Sequence, residues 1–159
     1  EMGIETREPD RESSVLLAWM AAERLFSADL VPKVLEAMAQ LGIPMEEAVV
    51  GLAGVSDEEI ARRYATHFHV PMTTAGQAPD PAGNLARVLP EAFCREQLMV
   101  PLSRTRTGLL VALVNPSRIW LHAQITLVTG LELKLRVAPL SRVMGWIEDL
   151  HATRQDGGL

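Results

Sequence analysis

The chain has 159 residues, 48% apolar but only 4% aromatic, and a formal charge of −5 from 15 Lys+Arg against 20 Asp+Glu. A chain of ~150 residues buries roughly 70% of its unfolded surface when compact, so a core is available, and with so few aromatics it must be built from Leu, Val, Ala, Ile and Met. The acidic balance, without any run of like charges, excludes a nucleic-acid footprint. Cys94 stands alone, which excludes an internal disulfide and a multi-cysteine metal site and suits a reducing compartment, and no apolar run reaches the ~18 residues that span a bilayer.

Residues 1–14 are charged and lack a signal-peptide pattern, so they read as a disordered lead or expression remnant. Residues 15–72 read as a helical subdomain. Val15, Leu16, Trp19 and Met20 recur at helical spacing up to a break at Phe26-Ser27-Ala28. Asp29 is the expected cap of the next helix, with Pro32 at its third position, where a missing N–H costs nothing. Val31, Val34, Leu35 and Met38 give it an apolar face, and Gly42 ends it. Pro44 opens a third helix carrying Met45, Val49 and Leu52. Ser56-Asp57-Glu58-Glu59 forms a capping box, and Ile60, Tyr64 and Phe68 follow at the spacing of a buried face.

An offset of 29 residues lays the first helix pair over the second: Leu16 on Met45, Met20 on Val49, Ser27 on Ser56, Val31 on Ile60 and Leu35 on Tyr64. The N-terminal half is therefore a diverged tandem repeat of helix, tight turn and helix. Residues 73–83, rich in Gly, Pro and small side chains, read as a linker. Residues 84–153 read as a small α/β subdomain and 154–159 as a tail.

In that second subdomain, Leu89-Pro90-Glu91 opens a helix to about Gln97. Leu98–Leu102 and Gly108–Val114 form a hairpin of strands. Pro116 and Ser117, with Ser117 as cap, start a helix to Gly130 whose expected buried face is Ile119, Trp120, Ala123, Leu127 and Val128. Leu131–Val137 alternates apolar and charged residues as a third strand. Leu140, Val143, Met144, Ile147 and Leu150 mark the last helix. The fold class is α+β: a helical tandem repeat, then three strands with helices expected over one face.

Catalytic chemistry is hard to find. The phosphate-cradling G-x-x-x-x-G-K-[ST] and G-x-G-x-x-G patterns are absent from the 159 residues, so no catalytic residue and no cofactor is assigned. His67-Phe68-His69 lacks a nearby third ligand for zinc, and no metal site is expected. His122 and His151 stand on separate helices without an obvious carboxylate or serine partner. Ser117 has Pro and Arg where a nucleophile elbow needs glycines. Arg104 and Arg106 sit in the hairpin turn, and Glu46, Glu47, Asp57, Glu58 and Glu59 suggest an acidic surface.

The helical repeat, Leu89-Pro90-Glu91-Ala92, Val111–Pro116 and Thr129-Gly130-Leu131 together resemble the N-terminal region of the ATPases of type II secretion and type IV pilus assembly, over about Leu16 to His151. The resemblance implies a non-catalytic docking and regulatory domain at the cytoplasmic face of the inner membrane. Its expected partners are the cytoplasmic domain of an inner-membrane assembly protein and an ATPase core domain, with neither nucleic acid nor direct membrane insertion.

Some members of that family bind cyclic di-GMP through the repeat, which opens Arg-Leu-Gly. Laid on this sequence, the motif falls on Pro44, Met45 and Glu46, with Ala53 over a later Gly and His67 over the closing Gln. Pro44 removes a charge-assisted hydrogen bond, and Glu46 would repel a phosphate. Nucleotide sensing is therefore the alternative reading.

Overall fold

The computed structural model describes residues 2–157, with side chains described over residues 11–152. Seven helices and three strands follow in the order α1 (Met2–Ala22), α2 (Val31–Leu41), α3 (Met45–Ala53), α4 (Asp57–Phe68), α5 (Glu91–Gln97), β1 (Met99–Arg104), β2 (Gly108–Leu113), α6 (Ile119–Thr129), β3 (Glu132–Val137) and α7 (Leu140–Gly157). The fold is mixed α+β, as expected. The chain divides into two compact units, Glu1–Asp57 and Glu58–Leu159.

The first unit consists of α1 to α3, with α2 packed on both α1 and α3. Its buried apolar side chains are Leu16, Leu17, Met20, Val34, Met45, Ala48 and Val49. The turn before α2 is capped by Ser27, whose Oγ accepts from the Asp29 N–H at 3.3 Å, so the cap expected at Asp29 sits two residues earlier, on a short 3₁₀ turn, Ala28–Leu30. Gly42 closes α2 at φ 66°, its N–H donating to the Met38 carbonyl. Pro44 stands at the N-cap of α3. Of the lead expected over 1–14, the first ten side chains lie outside the described residues, and the backbone from Met2 belongs to α1. The tail expected over 154–159 also lies outside the described side chains.

The second unit is organised on a sheet of order β1-β2-β3. β1 and β2 pair antiparallel as the expected hairpin, with Met99 opposite Leu113 and Arg104 opposite Leu109. β2 and β3 pair parallel, Gly108 beside Glu132 and Leu113 beside Val137, which requires the α6 crossover. Adjacent strand residues face opposite sides, and Val100, Val111, Ala112 and Leu113 are all buried. The β1–β2 pair is thus covered on both faces, where the sequence suggested helices over one. α7 packs on β1 and α5, and α6 packs on β3. Val143 and Ile147 of α7 and Leu121 and Ile125 of α6 enter the same apolar cluster as the strands.

The glycine- and proline-rich segment 73–83 is tied to both edges of this sheet. At the β3 edge, Met72 bridges Val137, whose N–H donates to the Pro71 carbonyl at 2.8 Å and whose carbonyl accepts from the Thr73 N–H at 3.0 Å. At the β1 edge, the Asp80 N–H donates to the Leu102 carbonyl at 2.8 Å. Leu102 is free to accept because the register slips between Pro101 and Ser103; such a bulge turns a backbone group out of the ladder. Composition marked the absence of helix or strand but not this anchoring.

Candidate functional site

The positions laid over the nucleotide motif have different surroundings. Pro44 caps α3, and Met45 and Glu46 directly after it are buried. Leu17, 29 residues earlier at the matching position of the first helix pair, is buried as well. Ala53 is half-buried at the last position of α3, before Gly54 at φ 72°. His67 is exposed in the last turn of α4, its ring edge-on to Phe68 at 4.7 Å. Of these residues, Met45 and Glu46 offer almost no surface to a ligand.

The expected acidic surface is smaller than the sequence suggests. Glu46 is inside. Glu59 accepts from Arg62 and Arg63, each at 2.9 Å, and Glu58 lies 3.9 Å from Arg142. Such exposed pairs neutralise charge and add little stability. No helix among the described residues is long and apolar enough to cross a membrane, and no group of three or more His, Cys, Asp or Glu side chains among them could hold a metal.

Cys94 is fully buried, its Sγ 3.8 Å from the Leu89 carbonyl. Burial, reinforced by Glu91 and opposed by Arg95, pushes its thiol up to about 12, so it stays protonated and unreactive. His151 is buried on α7. His122 is half-buried on α6 and its Nε2 has no hydrogen-bond partner among the described residues. Asn115 makes the expected turn, its Oδ1 accepting from the Ser117 N–H at 3.0 Å. The cap expected at Ser117 is not formed. α6 begins two residues later, after Arg118, whose guanidinium donates to Gln97 Oε1 at 2.8 Å.

Arg104 and Arg106 are exposed at the hairpin end. The turn between them is held by Thr105, whose N–H donates to the Gly108 carbonyl and whose Oγ1 accepts from the Gly108 N–H, both at 2.9 Å.

Sequence reasoning missed a pocket of about 530 Å³ in the second unit. Its walls are Pro79 and Pro81 of the anchored segment, Leu85 and Ala86 of a 3₁₀ turn, and Trp146 and Leu150 of α7, with Asp80, Asn84, Arg87 and Asp149 at the polar positions. The anchoring of Asp80 to β1 builds this wall, and a further hydrogen bond from the Ala82 N–H to Asp80 Oδ1 at 3.0 Å shapes it. Trp146 is half-buried, so part of its ring remains available. The volume and the mixture of apolar walls with a few polar groups are those of binding sites. A tryptophan in a chain of 4% aromatics was the signal that could have found it.

The MshEN domain family matches residues 68–157, more than half of the chain. No curated protein matches the sequence. Among solved structures, one described as MshE with cdg superposes with a TM-score of 0.59 at 15% identity, covering 85% of this chain and 97% of its own. Two crystal forms of the N-terminal domain of XpsE superpose with TM-scores of 0.52 and 0.59 at 24% and 23% identity. Each covers 86% of this chain, and 94% and 93% of its own. The chain belongs to the MshEN domain family, the N-terminal domain of secretion ATPases of the MshE and XpsE type.

Proposed function

We propose that this chain is a docking and regulatory domain that binds the cytoplasmic domain of an inner-membrane assembly protein, at the cytoplasmic face of that membrane, and adjusts an ATPase core domain. It serves type II secretion or type IV pilus assembly and carries no catalytic residue, cofactor or metal of its own. Family membership supports the setting, and the observation that carries docking is the α7 pocket. A half-exposed Trp146 between apolar walls, ringed by Asp80, Asn84, Arg87 and Asp149, has the anatomy of an interface hot spot: an aromatic anchor in a rim of polar groups.

Isothermal titration against the cytoplasmic domain of the cognate assembly protein tests the reading. The expected result is saturable binding that Arg87→Glu with Asp149→Lys weakens at least tenfold, since reversing rim charges removes complementarity. Absence of binding at ~100 μM, equivalent to ~5 kcal/mol, would overturn it.

Cyclic di-GMP sensing is the second reading, favoured by the match to the structure described as MshE with cdg. Buried Met45 and Glu46 and the proline at 44 weigh against it. A clear 1:1 heat on titrating cyclic di-GMP would reverse the preference.

A further inference from the structure

Helix α6 meets the rest of its unit through Leu121 and Ile125 and turns a second, largely apolar side to solvent, bordered by exposed Gln124 and Thr126. Leu127 is 83% exposed, Val128 80%, Ile119 74% and Trp120 57%, with exposed Ala123 among them. Spacings of three, four, seven and eight residues put Ile119, Trp120, Ala123 and Leu127 on one face of a helix, with Val128 at its border. The four large side chains leave on the order of 500–600 Å² of apolar surface in water, the upper end of the largest patch on an ordinary monomer.

We propose that this stripe is a self-association surface, on which a second copy of the chain packs its own α6 antiparallel about a two-fold axis near Ala123. Area supports a weak association: the facing side chains of two copies together bury on the order of 800–1,000 Å², at the low end of specific interfaces. Charge supports it as well. The chain carries −5, so most faces would bring like charges together, whereas Ile119–Thr129 contains no Asp, Glu, Lys or Arg.

The same lack of charge disfavours a lipid surface, for which amphipathic helices present Lys and Arg beside the apolar face. Ala123 at the centre lets two helix axes approach within ~8–10 Å. Ile119 and Trp120 of one copy then lie beside Leu127 of the other, and the helix dipoles oppose favourably. The α7 pocket shares no residue with this face, so the proposal stands apart from the docking reading.

Sedimentation velocity from roughly 5 to 500 μM spans the range in which an interface of this size fills. The mass should rise from one chain toward two. Leu127→Glu and Ile119→Lys, both at exposed positions and checked by circular dichroism for an intact fold, should each stay monomeric. Mixed together they should regain the dimer, because antiparallel packing sets the new ammonium against the new carboxylate. Leu52→Glu, on α3 in the first unit, should leave the dimer unchanged. A chain monomeric at 500 μM would overturn the proposal, and pelleting of that monomer with anionic vesicles would give the face to lipid. A dimer indifferent to Leu127→Glu, or a mixture that fails to associate, would equally overturn it.

Discussion

His122 shows how a single buried nitrogen makes stability depend on pH. Burial lowers its pKa from the usual 6.5, and its Nε2 has no hydrogen-bond partner among the described residues to favour the charged form. Above 6.5 the imidazole is neutral whether the chain is folded or not, so nothing is lost. Below 6.5 the unfolded chain takes up a proton that the folded chain refuses, and stability falls as pH falls. The ring resonances of His122 should therefore titrate with a midpoint below 6.5. His122→Leu should lose less thermal stability between pH 7 and pH 5 than the parent does. A midpoint at or above 6.5 would contradict the burial argument.

At the scale of elements, the ends of helices are written more clearly than their faces. Gly130 closes α6 at φ 74°, and a Cβ there meets nothing within 4 Å. Only the left-handed backbone resists a side chain, at about 1 kcal/mol. His69 follows α4 at φ 58° and is exposed, so it bears that strain already. Gly130→Ala should cost about 1 kcal/mol and His69→Gly should return about 0.5–1 kcal/mol, both read from urea midpoints at constant slope.

Gly42, Pro44 and Gly130 announced helix ends in the sequence because backbone restriction is local. Faces depend on what lies opposite. α6 carries apolar residues on most sides, so periodicity marks Ile119, Trp120, Ala123, Leu127 and Val128 as its buried face, whereas the structure exposes them and buries Leu121 and Ile125 instead. On α7, Met144 is exposed although its spacing marked it as core. The pocket was hidden for a related reason: it depends on Asp80 bonding to Leu102, 22 residues on, and composition carries no record of so distant a partner.

At the scale of the whole molecule, the division at Asp57–Glu58 bears on how the chain unfolds. A chain of more than one compact unit need not follow a single two-state transition, and its tryptophans are distributed so as to test this. Trp19 lies in the first unit, and Trp120 and Trp146 in the second. With Trp120→Phe and Trp146→Phe, fluorescence reports the first unit alone; with Trp19→Phe and Trp120→Phe, it reports the wall of the α7 pocket. Met20 is fully buried beside Trp19 in the chain, and Met20→Ala should cost about 2–5 kcal/mol through lost burial and the cavity left behind. That loss should move the Trp19 transition to lower urea while the Trp146 transition shifts by less than a quarter as much. Ile147→Ala, in the apolar cluster of the second unit, should do the reverse. Equal shifts at both tryptophans in both variants would show that the units unfold together, as a single cooperative transition.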